Sequence, residues 1–497
     1  MSDYKGGYSP LTLAAKEGHM DAVRDLVELG VVVDHPDKDG YTPLERAILA
    51  NNVDMIRTLN EVGADVNRLD EDGFTPVRFA ACNDRANALR ALAELGADIH
   101  DSSERGSTAL SFAARANGVS SIHALVELGA DVNISMNDGA TPVYVAAQEG
   151  HVDAISALVE HGANVNTPSN DGRTPVYVAA RAGHVGAIRA LSDQGADVNT
   201  STNDGRTPVY VAALQGNAET VRALAELGAN VHTPDGDGCT PMHSAARANE
   251  VGTVHALVEL GADVNSRGHN NRNPVFIAAQ KGHVGAIRAL AEHGADVDTS
   301  RNDGRTPVFI AAQEGHAEAV RALAELGASI HTPDEDADTP IHIAAYRGEV
   351  GVIRALGEHG ADINVLDAEG RTPLFIAAQQ GKVGSVRTLI RMRADIDKGS
   401  HVHSSPLHRV LQAVQLNTRS RQTSLLLVNN GADVMESLMS LIFAQTEHIH
   451  IVMTQLFESV SLSSNRSYDG PADTNCSLFS LTKLMSSAAR GDGSGDE

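Results

Sequence analysis

Apolar residues recur along this chain with a period of 33 residues, instead of forming one long hydrophobic block. One period starts at Thr174 with Thr-Pro-Val-Tyr-Val-Ala-Ala and continues through Gly183 to an apolar stretch with Ile188 and Leu191, which ends at Gly195. Apolar positions three and four residues apart predict two short helices in each period. Helices of this length are not stable alone in water. The pattern therefore predicts units that are stabilised by stacking on one another.

Thirteen such units start at this spacing, with no insertion between residues 9 and 405, and we number them repeats 1 to 13. They start at Ser9, Thr42, Thr75, Thr108, Thr141, Thr174, Thr207, Thr240, Asn273, Thr306, Thr339, Thr372 and Ser405. Thr is a favourable N-cap, and Pro fits the first helical position, where its missing N–H costs nothing. Gly stops a helix in the left-handed conformation. The Asp204-Gly205 pair signals a turn, so we expect a hairpin, called the finger, before each first helix.

The repeat resembles the ankyrin repeat, whose pattern D-x-x-G-x-T-P-L-H-x-A-A-x-x-G-H followed by G-A-D-V-N is nearly complete in most units. The resemblance covers about 430 of the 497 residues. It implies an all-α repeat solenoid, an ankyrin stack of helix-turn-helix units with hairpin fingers in a curved superhelix. The family's His, three residues after the Thr, is present as His243, His342 and His408. Elsewhere we expect an aromatic core column at Tyr144, Tyr177, Tyr210, Phe276, Phe309 and Phe375.

The pattern divides the chain into three parts. Residues 1–434 are predicted to be the ankyrin repeat domain of thirteen units, with no separate domain before it. Residues 435–462 are predicted to be a degenerate helical capping unit, because a solenoid needs a closed end; a partner-binding surface is the alternative. Residues 463–497 form an acidic tail rich in Ser, Gly and Asp that we expect to be disordered. Repeat 13 carries extra residues, which we place in a loop at 416–423, and Arg393 replaces a helix-stopping Gly.

Composition excludes several classes of protein. The 39 Lys and Arg against 64 Asp and Glu give a formal charge of −25, which disfavours a nucleic-acid surface. The three cysteines are far apart, so neither a disulfide framework nor a cysteine zinc site is expected. No apolar run approaches the ~20 residues of a membrane span. We expect a monomeric protein of the cytoplasm, with the nucleus as an alternative, that binds neither nucleic acid nor membrane.

The sequence contains no catalytic motif: it has no phosphate-binding loop, no G-x-S-x-G and no H-E-x-x-H. The histidines of the Gly-His steps recur once per layer, which favours a turn role over catalysis or metal binding (His19, His151, His184, His283 and His316). The Asn that ends each Asp-Val-Asn run is interpreted as turn-stabilising; the resemblance also implies hydroxylation by a dioxygenase as an alternative. We therefore predict no enzymatic activity, no cofactor and no metal.

Charged residues mark one candidate binding face. In the family, the finger residue before the Thr and the end of the first helix project toward the concave groove. We predict a cationic stripe there for a partner, with one exposed aromatic: Arg173, Arg181, Arg206, Arg247, Arg272, Arg305, Tyr346, Arg347 and Arg371. The alternative is neutralisation by the Asp or Glu two residues before several of these Arg. On the second helix an Arg often precedes a Glu by four residues, which predicts i, i+4 pairs on a solvated face.

The leading hypothesis is a non-enzymatic scaffold or adaptor for protein–protein interaction. Its concave ankyrin groove is expected to bind a protein or an extended peptide, and an acidic one if the stripe is not self-neutralised. The alternative is a substrate-recognition or inhibitory subunit of an enzyme complex, such as a ubiquitin ligase or a phosphatase. That role requires a docking element, for which only residues 435–462 or the tail are available.

Overall fold

The structure, a computed structural model, describes residues 9–70, 73–399, 405–408 and 418–433. The chain forms two compact units, Met1–Glu335 and Asp336–Glu497. The first contains repeats 1 to 10 and the second contains repeats 11 to 13. The predicted cap at 435–462 and the predicted tail at 463–497 lie outside the described residues.

Each repeat of the first unit contains two short helices of seven to nine residues. The first helices are Pro10–Glu17, Pro43–Leu49, Pro76–Cys82, Ala109–Arg115, Pro142–Glu149, Pro175–Ala182, Pro208–Leu214, Pro241–Ala248, Pro274–Lys281 and Pro307–Gln313. The second helices are Met20–Glu28, Val53–Glu61, Ala86–Glu94, Val119–Glu127, Val152–Glu160, Val185–Asp193, Ala218–Glu226, Val251–Glu259, Val284–Glu292 and Ala317–Glu325. Among the described residues of this unit, one 3-10 turn, His269–Asn271, lies in the finger before repeat 9.

The second unit continues the pattern. Its first helices are Pro340–Arg347 and Pro373–Gln379, and its second helices are Val350–Glu358 and Val383–Arg391. Repeat 13 contributes the helix Thr418–Asn429, which packs on Val383–Arg391.

Local signals place the helix ends as the sequence predicts. The Thr174 hydroxyl accepts a hydrogen bond from the backbone N–H of Tyr177 at 3.3 Å, and Gly183 ends the helix with φ 82°. The finger closes where the N–H of Thr202 donates to the carbonyl of Arg206 at 3.0 Å. Among the described residues no strand forms, and the fingers are tight hairpin turns with one isolated bridge, between Ser102 and Thr108.

Small and branched side chains make the core between layers. Ala179, Ala180, Ile188 and Leu191 have no exposed surface, which lets each repeat pack closely on its neighbours. Within each unit, first helices contact first helices of adjacent repeats, and second helices contact second helices. Every residue of the predicted aromatic column is buried: Tyr144, Tyr177, Tyr210, Phe276, Phe309 and Phe375. Among the described residues, no helix has the length and apolar character needed to cross a bilayer.

Two features of the second unit concern the predicted irregularities. The prediction of a loop at 416–423 is wrong from Thr418 onward, because these residues belong to a twelve-residue helix; residues 416 and 417 lie outside the described residues. Thr423 and Leu427 of this helix are fully buried. The extra residues therefore extend the helix, and the repeat keeps its buried face. Arg393 adopts the left-handed conformation, with φ 67°, at the position where other repeats use Gly.

Candidate partner-binding face

Two finger Arg residues of the first unit are held by carboxylates of their own fingers. Arg173 Nε lies 2.9 Å from Asp171 Oδ2, and Arg206 Nη1 lies 3.1 Å from Asp204 Oδ2. A hydrogen bond from the Thr202 hydroxyl, with a further contribution from Arg206, lowers the pKa of Asp204. Both Arg side chains remain 40% exposed. These guanidinium groups are therefore accessible but already partnered.

Two further finger Arg make different contacts. Arg305 Nε lies 3.7 Å from Asp303 and 3.2 Å from Asp334 Oδ2, a carboxylate only 3% exposed on the next finger. Arg272 Nε donates to the carbonyl oxygen of His269 at 3.2 Å. Pairing within a finger is thus the general arrangement, and a link to the next finger occurs at Arg305. This arrangement matches the self-neutralisation alternative and reduces the positive charge of the predicted stripe.

The ends of the first helices offer different contacts. Arg181 is exposed, whereas Arg247 is half-buried and its Nη2 lies 3.9 Å from the Sγ of Cys239. Burial raises the pKa of the Cys239 thiol. Arg181 is consequently the more accessible cation of the two.

In the second unit, too, the finger Arg is paired with carboxylates, whereas the residues at the end of a first helix are exposed. Arg371 Nε contacts the buried Asp367 at 2.7 Å, and its Nη1 contacts Glu369 at 2.7 Å. Tyr346 is 50% exposed and Arg347 is also exposed, both at the end of a first helix. The predicted exposed aromatic is therefore present at the surface, beside a cation.

Sequence reasoning did not single out the aromatic residues of repeats 2 to 4 on this face. Tyr41 and Phe74 occupy the finger position that holds Arg173 in a later repeat. The ring centroids of Tyr41 and Phe79 are 5.8 Å apart, and those of Phe74 and Phe112 are 4.9 Å apart. All four rings are half-buried. The 33-residue register was the signal that could have found Tyr41 and Phe74, because they share a column with the finger Arg residues.

The column of the family His is also more varied than the aromatic residues suggest. In repeat 3 it holds Arg78, whose side chain is 4% exposed and whose Nη2 lies 2.8 Å from Oδ2 of Asp101 on the next finger. In repeat 8 it holds His243, whose Nδ1 accepts from the N–H of Thr240 at 3.1 Å while its Nε2 donates to the carbonyl of Arg272 at 2.9 Å. Both residues therefore connect a first helix to the following finger.

One small cavity of about 150 Å³ lies between the fingers before repeats 2 and 3. Its lining includes Asp34, Glu45, Asp65, Arg68 and Asp70. Burial raises the pKa of Asp34 and of Glu45, which also caps the first helix of repeat 2. The volume is below the ~300 Å³ at which small-molecule pockets begin. In the described residues, no three or more His, Cys, Asp or Glu side chains are grouped to hold a metal ion.

The second helices carry an ion-pair ladder with a different partner from the one expected. Six of these Arg reach the Glu of the next repeat, 37 residues on, at distances from 2.6 to 3.3 Å: Arg24–Glu61, Arg57–Glu94, Arg90–Glu127, Arg189–Glu226, Arg222–Glu259 and Arg288–Glu325. The prediction of i, i+4 pairs is wrong for these residues. Arg-first is the poorer i, i+4 orientation, and stacking brings a second Glu within reach.

The Asn residues of the Asp-Val-Asn runs also connect repeats. The Asn199 side-chain oxygen accepts from the N–H of Asn230 at 2.8 Å, and its amide donates to the carbonyl of Gly228 at 3.2 Å. His283 of the Gly-His column bonds the carbonyl of Arg247, one repeat earlier, at 3.0 Å. Both columns thus join layers through hydrogen bonds between repeats.

Sequence models of known families now place the chain. The model for ankyrin repeats, in sets of three copies, matches residues 2–70, 62–136, 118–202, 195–268, 266–334 and 330–400. The chain belongs to the ankyrin repeat family. Among solved structures, the human ASB11 ankyrin repeat domain is 28% identical, with a TM-score of 0.41; the match covers 45% of this chain and 99% of that one. No curated protein matches the chain. Ankyrin repeats mediate protein–protein interaction and are typically non-enzymatic.

Proposed function

We propose that this chain is a non-enzymatic scaffold or adaptor that binds a protein or an extended peptide on its fingers and first-helix ends. The carrying observation is a variable surface on a constant frame. The two Ala before the last turn of each first helix are buried in repeats 5 to 10. The next position changes from repeat to repeat and is exposed or half-buried: Gln148, Arg181, Leu214, Arg247, Gln280 and Gln313. Such variation on a repeated frame supports recognition of one partner by many small contacts.

The first-helix ends carry the specificity in this proposal. Arg181 and Leu214 are accessible, whereas Arg173 and Arg206 each hold a carboxylate of their own finger. Exposed pairs of this kind contribute little stability, so a carboxylate of the partner can exchange for the internal one at small cost. The proposal of an acidic partner therefore depends on this exchange. Without the exchange, the neutralised stripe adds little affinity.

The test compares two faces of the same chain in affinity capture from the native source. One variant carries Arg181→Ala, Leu214→Ala and Arg247→Ala on the first-helix ends. The matched control carries Ala at three ladder positions on the second helices: Arg189, Arg222 and Arg288. We expect the first variant to lose a partner that the wild type and the control retain. Equal capture by all three would contradict the assignment of this face, and capture that depends on residues 435–497 would favour the enzyme-complex alternative.

A second variant tests the finger Arg of the first unit. Replacing Arg206, Arg272 and Arg305 with Ala should slow association with an acidic partner, because exposed charges act mainly on the association rate. The wild type should also lose more affinity than the variant as salt rises to physiological strength. Identical rates and salt dependence would show that these Arg serve only their own fingers.

The same proposal assigns the chain to the cytoplasm. Among the described residues, Cys82 and Cys239 are free thiols, which suits a reducing compartment. Fractionation of the native source with an antibody against the chain tests this assignment.

A further inference from the structure

The second-helix ladder changes its chemistry in two layers. In repeats 4 and 8 the Arg position holds His123 and His255. The next repeat offers a Glu at the usual ladder position in both cases, Glu160 and Glu292. Each His nevertheless bonds the residue that follows this Glu.

That residue is itself a histidine. His123 Nδ1 lies 2.8 Å from His161 Nε2, and His255 Nδ1 lies 2.8 Å from His293 Nε2. The ring centroids are 5.0 Å apart in both pairs, with interplanar angles of 67° and 77°. We call each side-chain link between the second helices of adjacent repeats a rung. Within repeats 1 to 10, the Arg position of the ladder and the position 38 residues later either both hold His or both hold another residue. The same two-imidazole arrangement is therefore built twice, four repeats apart.

We propose that each His–His rung is a binding site for one divalent transition-metal ion of the zinc class. Imidazole nitrogen is a preferred ligand for Zn²⁺, Ni²⁺ and Cu²⁺. The ion binds through Nδ1 of one ring and Nε2 of the other, in the place of the proton that the two nitrogens share. It thereby links consecutive repeats, as the Arg–Glu pairs do in other layers.

A carboxylate that is already paired with an Arg stands near each rung. Glu127 lies one helical turn after His123, and its carboxylate is 2.8 Å from Arg90. The hydrogen bond from Arg90 is the main cause of its lowered pKa, and His123 and His161 add smaller contributions. Glu259 stands in the equivalent place beside His255 and is 2.8 Å from Arg222. A carboxylate therefore lies beside each pair without being one of its ligands.

The site is a two-ligand site, completed by water. Tetrahedral Zn–N bonds of about 2.0–2.1 Å place two nitrogens roughly 3.3–3.4 Å apart, so each pair must open by about 0.5 Å. His123, His161 and His255 are half-buried and His293 is exposed, which leaves the rings free to make this small rotation. No backbone movement is required.

The test is calorimetric titration of ZnCl2 into the full chain, stripped of metal by a chelator, near pH 7.5. We expect two ions per chain with micromolar affinity, and no binding of MgCl2 at the same concentrations. The double variant His123→Arg and His255→Arg should bind neither ion, and each single variant should bind one. Arg at these positions meets Glu160 or Glu292, so the rung is kept while one imidazole of each pair is lost.

Two further variants keep the result decisive. His161→Gln with His293→Gln removes the other ring of each pair and should also abolish both sites, which covers the case that the Arg variants lose helicity. His100→Gln with His232→Gln removes two exposed histidines outside the ladder and should leave two ions bound. Zinc binding should weaken near pH 5.5, because protonated imidazole is not a ligand. Absence of zinc binding by the wild type, or binding of two ions by both rung variants, would overturn the proposal.

Discussion

The ion pair between Arg78 and Asp101 tests whether burial, and not contact distance, decides how much a charge pair between repeats contributes to stability. The Arg78 Nη2 to Asp101 Oδ2 distance is 2.8 Å, and the two side chains are 4% and 27% exposed. Arg222 and Glu259 on the second helices also lie 2.8 Å apart, but they are 45% and 61% exposed. The buried contact is short without the alignment of a hydrogen bond, so its attraction is mainly Coulombic.

We expect Arg78→Met to be much more disruptive than Arg222→Met. Methionine keeps most of the aliphatic length, so the change removes chiefly the charge. Breaking a fully buried pair costs about 3–5 kcal/mol. Water still reaches part of Asp101, which reduces our expectation to about 2 kcal/mol. Exposed pairs contribute up to about 1 kcal/mol, which is the limit for Arg222→Met.

Native-state hydrogen exchange is the assay, because a long repeat array need not unfold in two states. A loss of about 2 kcal/mol speeds exchange roughly 30-fold, against about fivefold for 1 kcal/mol. The acceleration should be confined to the helices Pro76–Cys82 and Ala109–Arg115. Asp101→Asn in the Arg78→Met background should restore much of the protection, since it removes the unpaired charge. The reasoning fails if Arg78→Met and Arg222→Met accelerate exchange equally.

Three further changes test the local assignments by the same exchange measurement. Burial lowers the pKa of His243 and His342, so the unfolded chain binds protons at a higher pH than the folded chain does. Protection should therefore be complete above about pH 6.5 and fall below it. His243→Phe should reduce this loss of protection in repeat 8. Arg393→Gly should slow exchange in Val383–Arg391 by a gain of up to about 1 kcal/mol, because the φ of 67° suits Gly. Asn199→Ala should cost about 1–2 kcal/mol through two lost hydrogen bonds and speed exchange in repeats 6 and 7. Unchanged exchange rates would contradict each assignment.

Most of the fold could be predicted from the sequence because its signals are local. Thr174 and Pro175 begin a helix and Gly183 ends it through interactions within a few residues, and the 33-residue period repeats these signals. The buried aromatic column followed from the same register. The failure at 416–423 has the same origin: repeat 13 departs from the period, and burial of Leu427 in a longer helix depends on packing against a neighbouring repeat.

The candidate site was less predictable because long charged side chains choose partners that the sequence does not place side by side. Arg222 has a Glu four residues later, yet it pairs with Glu259 of the next repeat. Arg305 likewise reaches the buried Asp334 on the following finger. Local spacing identifies the columns, whereas the register between layers decides the pairs.

That register also gives a rule for reading the surface of this chain. A charged residue at a given position should be compared with the residues about 29 and 37 positions later, as Arg305–Asp334 and Arg222–Glu259 show. Where the later residue complements it, the side chain serves the stack and is less available to a partner. Arg181 lies at a first-helix end and is exposed, without an ion pair among the described residues. We therefore expect the proposed partner to gain specificity from residues of this kind, and not from the longest row of like charges.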